Sequence, residues 1–184
     1  MAVSGPAPGA AGCRMTAAKP ASRAGFGLSL KGRALRYLAA REHSRAELER
    51  KLGMHEETPG QLAQVLDELQ AKGFISEERV VESVINRRAG RLGASRIKYE
   101  LLNKGLSAQA VAGAMAQLKD TEEERARQVW LRKFGEPAPD AASQARQMRF
   151  LLTRGFSADA VRRVLRHARG DDTGRQVLAG PEDD

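Results

Sequence analysis

Two stretches fifty residues apart decide the fold: "NKGLSAQAVAGAMAQLK" from Asn103 to Lys119, and "TRGFSADAVRRVLRHAR" from Thr153 to Arg169. Each reads as basic residue, Gly, large apolar residue, Ser-Ala, polar residue, Ala-Val. The Gly suits the left-handed residue that closes a helix, and the Ser suits the N-cap of the next one. After the Ser, apolar residues recur at i, i+3, i+4 and i+7: Val111, Ala114, Met115 and Leu118, then Val161, Val164, Leu165 and Ala168. That spacing puts one buried stripe on a helix. Leu62, Val65, Leu66 and Leu69 repeat the pattern a third time, one spacing earlier. The phrase is therefore a helix–turn–helix joint, and the chain is a repeat.

The caps and stops on either side of the joint predict nine helices in three groups of three. They fall near 31–42, 45–53 and 59–72; 77–91, 94–104 and 108–119; and 122–134, 141–154 and 158–169. "SRAE" (Ser44–Glu47), "TPGQ" (Thr58–Gln61) and "TEEE" (Thr121–Glu124) read as capping boxes, and Ser107 and Ser157 as simple N-caps. Gly53, Gly73, Gly105, Gly135, Gly155 and Gly170 read as helix stops. The expected fold is all-α, with three tandem three-helix repeats at 29–75, 76–120 and 121–169 forming an elongated, curved array. A three-helix unit of this size is marginal alone, and stacking on neighbours supplies the missing burial. Residues 1–28, rich in Ala, Gly and Pro, read as a disordered basic arm, and 170–184 as a disordered acidic tail. Met15, followed by Thr16, reads as an alternative to Met1 as the initiator.

The composition narrows the function. With 31 Lys and Arg against 23 Asp and Glu, the net charge is +8. Residues 171–184 hold five acids and one base, so the rest carries +12. An anionic partner is expected. One cysteine, Cys13, excludes an intrachain disulfide and suits a reducing cytoplasm. No apolar run approaches the length of a membrane span. His43, His55 and His167 lie far apart without a ligand pattern and read as surface or capping residues, so no metal and no cofactor are expected. No phosphate-binding glycine loop or nucleophile motif occurs, and the chain is not expected to be an enzyme.

Arginine carries the candidate site. Arg162 and Arg166 line one face of the last helix with Arg163 further round, and Arg149 and Arg154 sit on the helix before it. Asp159 is the only acid between Arg146 and Arg169, so this density of positive charge calls for an anion. A second cluster holds Arg87, Arg91, Arg96 and Lys98, with Arg88 on the line of Val81 and Ile85 as a snorkelling or salt-bridged residue. The aromatic residues mostly fall at core spacing, which leaves phosphate rather than stacked bases as the expected nucleic-acid contact.

Four stretches carry a family resemblance: "YLAAREHSRAELERKL", "VLDELQAKGFISEERVVESVINRRAGRLGASRIKYELLNKGLS", "KFG" and "RFLLTRGFSADAVRRVL". In order and spacing, Leu30 to Arg169 resembles the RecX regulatory proteins. The resemblance implies a curved helical monomer lying in the groove of the RecA–DNA filament. There it suppresses ATP hydrolysis and strand exchange, with added affinity for single- and double-stranded DNA through phosphate and little sequence preference. Ser76-Glu77, Val80-Val81 and Leu92 depart from the family's usual acidic and aromatic residues but keep the core positions apolar. A helix-turn-helix-like protein that binds nucleic acid independently is the alternative.

Overall fold

The computed structural model describes Met1 and residues 28–170. The basic arm with Cys13, the Met15 start and the acidic tail lie outside the described residues, apart from Met1, Leu28 and Gly170. Among the described residues there are nine α-helices and no strand. They are α1 (Leu30–Ala40), α2 (Arg45–Leu52), α3 (Gln61–Ala71), α4 (Glu77–Arg88), α5 (Ala94–Asn103), α6 (Ala108–Lys119), α7 (Glu122–Lys133), α8 (Ala141–Thr153) and α9 (Ala158–Arg169).

Each run of three helices encloses its own core. Leu48, Leu52, Leu66 and Leu69 anchor the first, Val80, Val84, Ile97 and Leu101 the second, and Trp130, Leu151, Val161 and Val164 the third. Every helix pair that packs extensively lies inside one such unit. Adjacent units meet instead through turns, which makes the molecule an array rather than a single globule.

The doubled phrase is the contact. The turn after α5 presses on the first turn of α2. There the Ser44 hydroxyl donates to the Lys104 carbonyl, and Lys104 Nζ pairs with Glu47 at 2.8 Å. A Cβ on Gly105, whose φ is +71°, would lie 2.6 Å from that of Ala46. One unit later the turn after α8 presses on the first turn of α5 in the same way. Gly93 N–H donates to Arg154 O at 2.9 Å, and Ser95 N–H to Gly155 O at 3.2 Å. Ser44 and Gly93 are thus equivalent N-caps, as Lys104 and Arg154 are equivalent turn residues. Arg125 reinforces the second joint by donating to the carbonyls of Ala89, Leu92 and Leu118. Burial pushes its guanidinium below the usual arginine value.

The Ser44–Glu47 capping box forms as expected, and Ser107 and Ser157 cap α6 and α9. The other two boxes do not form. Thr121 makes no cap hydrogen bond, and Glu122 reaches across the unit to accept from the N–H and hydroxyl of Ser157, at 3.2 and 2.8 Å. Glu77 holds Ser107 in the same way, so in the second and third units the first-turn glutamate of the first helix clasps the start of the third. In "TPGQ", Gly60 at φ +86° is the N-cap, and Glu56 supplies the oxygen that accepts from Leu62 N–H. Gly53 lies at φ −54° and opens a single 3-10 turn, Gly53–His55, instead of stopping the helix in the left-handed region. Ser29, Ser76 and Asp140 cap α1, α4 and α8 in addition to the expected caps.

His43 corrects the surface assignment. It is 2% exposed, packed edge-on to Tyr37, with Nδ1 3.0 Å from the Arg41 carbonyl and no partner for Nε2 among the described residues. Burial holds its pKa below the ordinary histidine value. Nδ1 then donates as the neutral tautomer.

Candidate nucleic-acid interface

One arginine from each sequence cluster, Arg91 and Arg154, comes together where the second and third units meet. The joint at Gly93 and Gly155 brings the α4–α5 turn beside α7 and α8. Between them lies a cleft of about 370 Å³ lined by Gly90, Arg91, Val129, Arg132, Lys133, Phe150 and Arg154. Arg132 is fixed by donating to the Gly90 carbonyl. Arg154 stacks on Phe150, its guanidinium carbon 3.6 Å from the ring centroid. Arg91 and Lys133 are exposed and make no side-chain hydrogen bond or ion pair among the described residues. Four cations over an apolar floor, with no acid among the lining residues, form a site for a phosphate or a carboxylate. Arg91 and Arg154 were singled out from sequence; Arg132 and Lys133 were not. The Gly90 carbonyl that holds Arg132 lies 42 residues before it in the chain, and no local pattern marks the relation.

On the outer side of the third unit, a second groove of about 440 Å³ runs between α8 and α9. It is lined by Gln144, Met148, Arg162, Leu165, Arg166 and Arg169. Arg166 is exposed and without a side-chain partner among the described residues, and Arg169 is held by Gln144. Arg162 pairs with Asp159. Arg163 does not share this groove; it pairs with Glu123 at 2.6 Å, and His167 Nδ1 lies 3.4 Å from the same carboxylate. The face is thus partly neutralised by α7, whose glutamates lie forty residues upstream. Exposed pairs of this kind contribute little and exchange readily, so Arg162 keeps its capacity for a competing anion.

The remaining sequence candidates divide. Arg87 and Arg88 both pair with Glu100, at 3.2 and 3.0 Å, and Arg88 is exposed rather than on the core line. Arg96 donates to the Thr153 carbonyl at 3.2 Å and helps to bind the units together. Lys98 and Arg149 are exposed with no side-chain partner among the described residues. Two aromatic residues break the core expectation: Phe74 is 48% exposed and Tyr99 63%.

No group of three or more His, Cys, Asp or Glu among the described residues is placed to hold a metal ion. None of the described helices is long and apolar enough to cross a membrane.

Two family models match the chain: RecX, first three-helix domain, over residues 31–69, and RecX, third three-helix domain, over residues 120–165. A curated relative from Leptothrix cholodnii, Regulatory protein RecX, is 60% identical over 141 residues, covering 77% of this chain and 90% of that one. The protein of the same name from Herminiimonas arsenicoxydans is 50% identical, over 76% and 92%. Among solved structures, RecX from Lactobacillus salivarius superposes with a TM-score of 0.65 at 20% identity, over 76% of this chain and 94% of that one. A second crystal structure of regulatory protein RecX gives 0.64 at 19%, over 73% and 70%. At these identities the structures establish the shared fold.

Proposed function

The chain belongs to the RecX family of regulatory proteins, and from that premise we propose that it modulates the RecA recombinase by binding the RecA–DNA filament. It acts without catalysis, as a cytoplasmic monomer, and suppresses ATP hydrolysis and strand exchange. Bridging neighbouring protomers favours one filament state over the other, because a ligand shifts a conformational equilibrium by its differential affinity. The array supports this reading: three units joined through backbone contacts form a spacer of fixed register, able to engage a repeating surface.

One observation carries the DNA-proximal part of the proposal. The interunit cleft gathers Arg91, Arg132, Lys133 and Arg154 with no acid among its lining residues. Arg149, Arg162 and Arg166 extend positive charge along α8 and α9, and Arg163, Arg87, Arg96 and Lys98 provide further cations in reach of phosphate or an acidic protein surface. Contacts of this kind are to backbone, sensitive to salt and indifferent to sequence.

The test is RecA's DNA-dependent ATPase, measured while the chain is titrated far below the amount that covers the DNA. Inhibition at such ratios is expected. Inhibition only at saturation of the DNA, and abolished by a modest rise in salt, favours an independent DNA-binding protein and ends the filament reading.

A further inference from the structure

The second helix of every unit presents the same outer face, and its middle position is never apolar core. Leu48, Ile97 and Gln147 are equivalent inner residues, as are Leu52, Leu101 and Leu151, and all six are buried. Two residues after the first of each set comes the position pointing away from that core: Arg50 on α2, Tyr99 on α5 and Arg149 on α8. All three are exposed. The helices follow one another end to start, because the α8 turn abuts the first turn of α5 and the α5 turn abuts that of α2. Each helix of about ten residues spans ~15 Å. The outer face therefore reads cation, aromatic, cation along one row.

Tyr99 is the anomaly in that row. It is 63% exposed, and no ring or cation packs on it among the described residues. Leu102 and Leu152, one turn further along their helices at equivalent places, are also exposed, at 49% and 39%. The acids on these helices are already engaged: Glu47 with Lys104 and Arg41, Glu49 with Arg45, and Glu100 with Arg87 and Arg88. What remains is Lys98, Arg149 and an open tyrosine ring, flanked by Arg50 and Arg96, whose guanidinium groups rest on backbone carbonyls. An aromatic surface interleaved with unopposed cations suits unpaired bases on an anionic backbone.

We propose that Tyr99 is a base-stacking platform for single-stranded nucleic acid, with Lys98, Arg96, Arg50 and Arg149 holding the phosphates on either side. The inference rests on the nucleic-acid part of the proposed function and adds to it a preference for unpaired strands, since a duplex offers no free base to an exposed helix face.

The test measures fluorescence anisotropy of a labelled oligothymidine and of a duplex of equal length with the full chain, at one fixed salt concentration. Tyr99→Ala is expected to weaken single-strand binding about tenfold, the usual scale for one stacked base. Tyr99→Phe stays within about twofold of the wild type, and duplex affinity and the salt slope do not change. In Tyr99→Trp the new indole is quenched by the oligothymidine, against a constant background from Trp130, which is 4% exposed. Unchanged single-strand affinity in Tyr99→Ala overturns the inference and leaves the proposed function standing. Equal losses on single strand and duplex overturn it too, as does lost ATPase inhibition with intact single-strand binding, which makes Tyr99 a protein contact. A wild-type chain that binds neither DNA ends both this inference and the DNA-proximal reading.

Discussion

Replacing Gly93 by alanine adds one methyl group at the tightest point of the array. The glycine sits at φ −78° and ψ 169°, a conformation that alanine adopts freely, so no backbone strain is involved. The space is the obstacle: the new Cβ would stand 2.2 Å from the carbonyl carbon and oxygen of Gly155 and from the nitrogen of Phe156. These are backbone atoms and cannot rotate away. Ordinary contact begins near 3.4 Å, so the two turns must part by roughly 1.2 Å. Parting breaks the Gly93–Arg154 and Ser95–Gly155 hydrogen bonds, each worth about 1 kcal/mol. Overpacking adds about 1–3 kcal/mol, and the stiffer unfolded chain returns about 0.5 kcal/mol. The expected net loss is about 3 kcal/mol, confined to the coupling between the second and third units.

Urea unfolding read by two probes isolates this term. Trp130 fluorescence reports the third unit and far-UV circular dichroism the whole array. In Gly93→Ala the two transitions are expected to separate, with the tryptophan curve moving to lower urea, because a joint that no longer couples its neighbours loses cooperativity. Gly90→Ala is the control: a Cβ there meets nothing within 4 Å and φ is not positive, so stability should hold or rise by about 0.5 kcal/mol. A Gly93→Ala protein with coincident transitions and a wild-type midpoint refutes the joint as described.

Three further outcomes follow from particular contacts. Burial alone would raise the Glu47 pKa, but hydrogen bonds from Lys104, the Ser44 backbone and Arg41 outweigh it and hold the carboxyl at about 2. Because the folded value lies below the unfolded one, the stabilisation is complete above about pH 4.5 and disappears as pH falls toward 2. Glu47→Gln should therefore lose about 3 kcal/mol at pH 7 in chemical denaturation, with a difference from wild type that shrinks through that window; a constant difference counts against the assignment. Arg132→Ala with Lys133→Ala removes two of the four cleft cations, and the slope of log affinity for DNA against log salt should fall by up to about two in titrations at several salt concentrations. Deleting residues 171–184 takes the net charge from +8 to +12, and DNA association at low salt should accelerate, an effect lost at high salt in stopped-flow measurements.

The helices were legible because their signals are local. The Ala-Val register after Ser107 and Ser157 fixes which side of α6 and α9 is buried, and a glycine two residues before each Ser fixes where the previous helix ends. What joins the units was not legible, since Gly93 meets Gly155, and Ser44 meets Lys104, across some sixty residues. A separation of forty residues hid the charge balance of α9: its arginines look unopposed in sequence, but Glu123 comes from α7. "TEEE" illustrates the ambiguity at its sharpest, because a first-turn glutamate serves a capping box or a cross-unit clasp equally well until the third helix is in place.

Tyr99 differs from these cases. The counting that puts Ile97 and Leu101 inside α5 puts Tyr99 outside it, so its exposure was available from periodicity alone. The expectation that aromatic residues belong to the core concealed it. Repeats make the distinction useful, because equivalent positions share a fold role and differ only where function permits. The inner positions of the second helices carry Leu, Ile or Gln and vary within what packing and the Trp130–Gln147 hydrogen bond allow. The outer position carries Arg, Tyr and Arg, which no core constraint selects. A tyrosine that packing does not require, facing solvent where the other two units carry arginine, is better explained by what it meets than by what it supports.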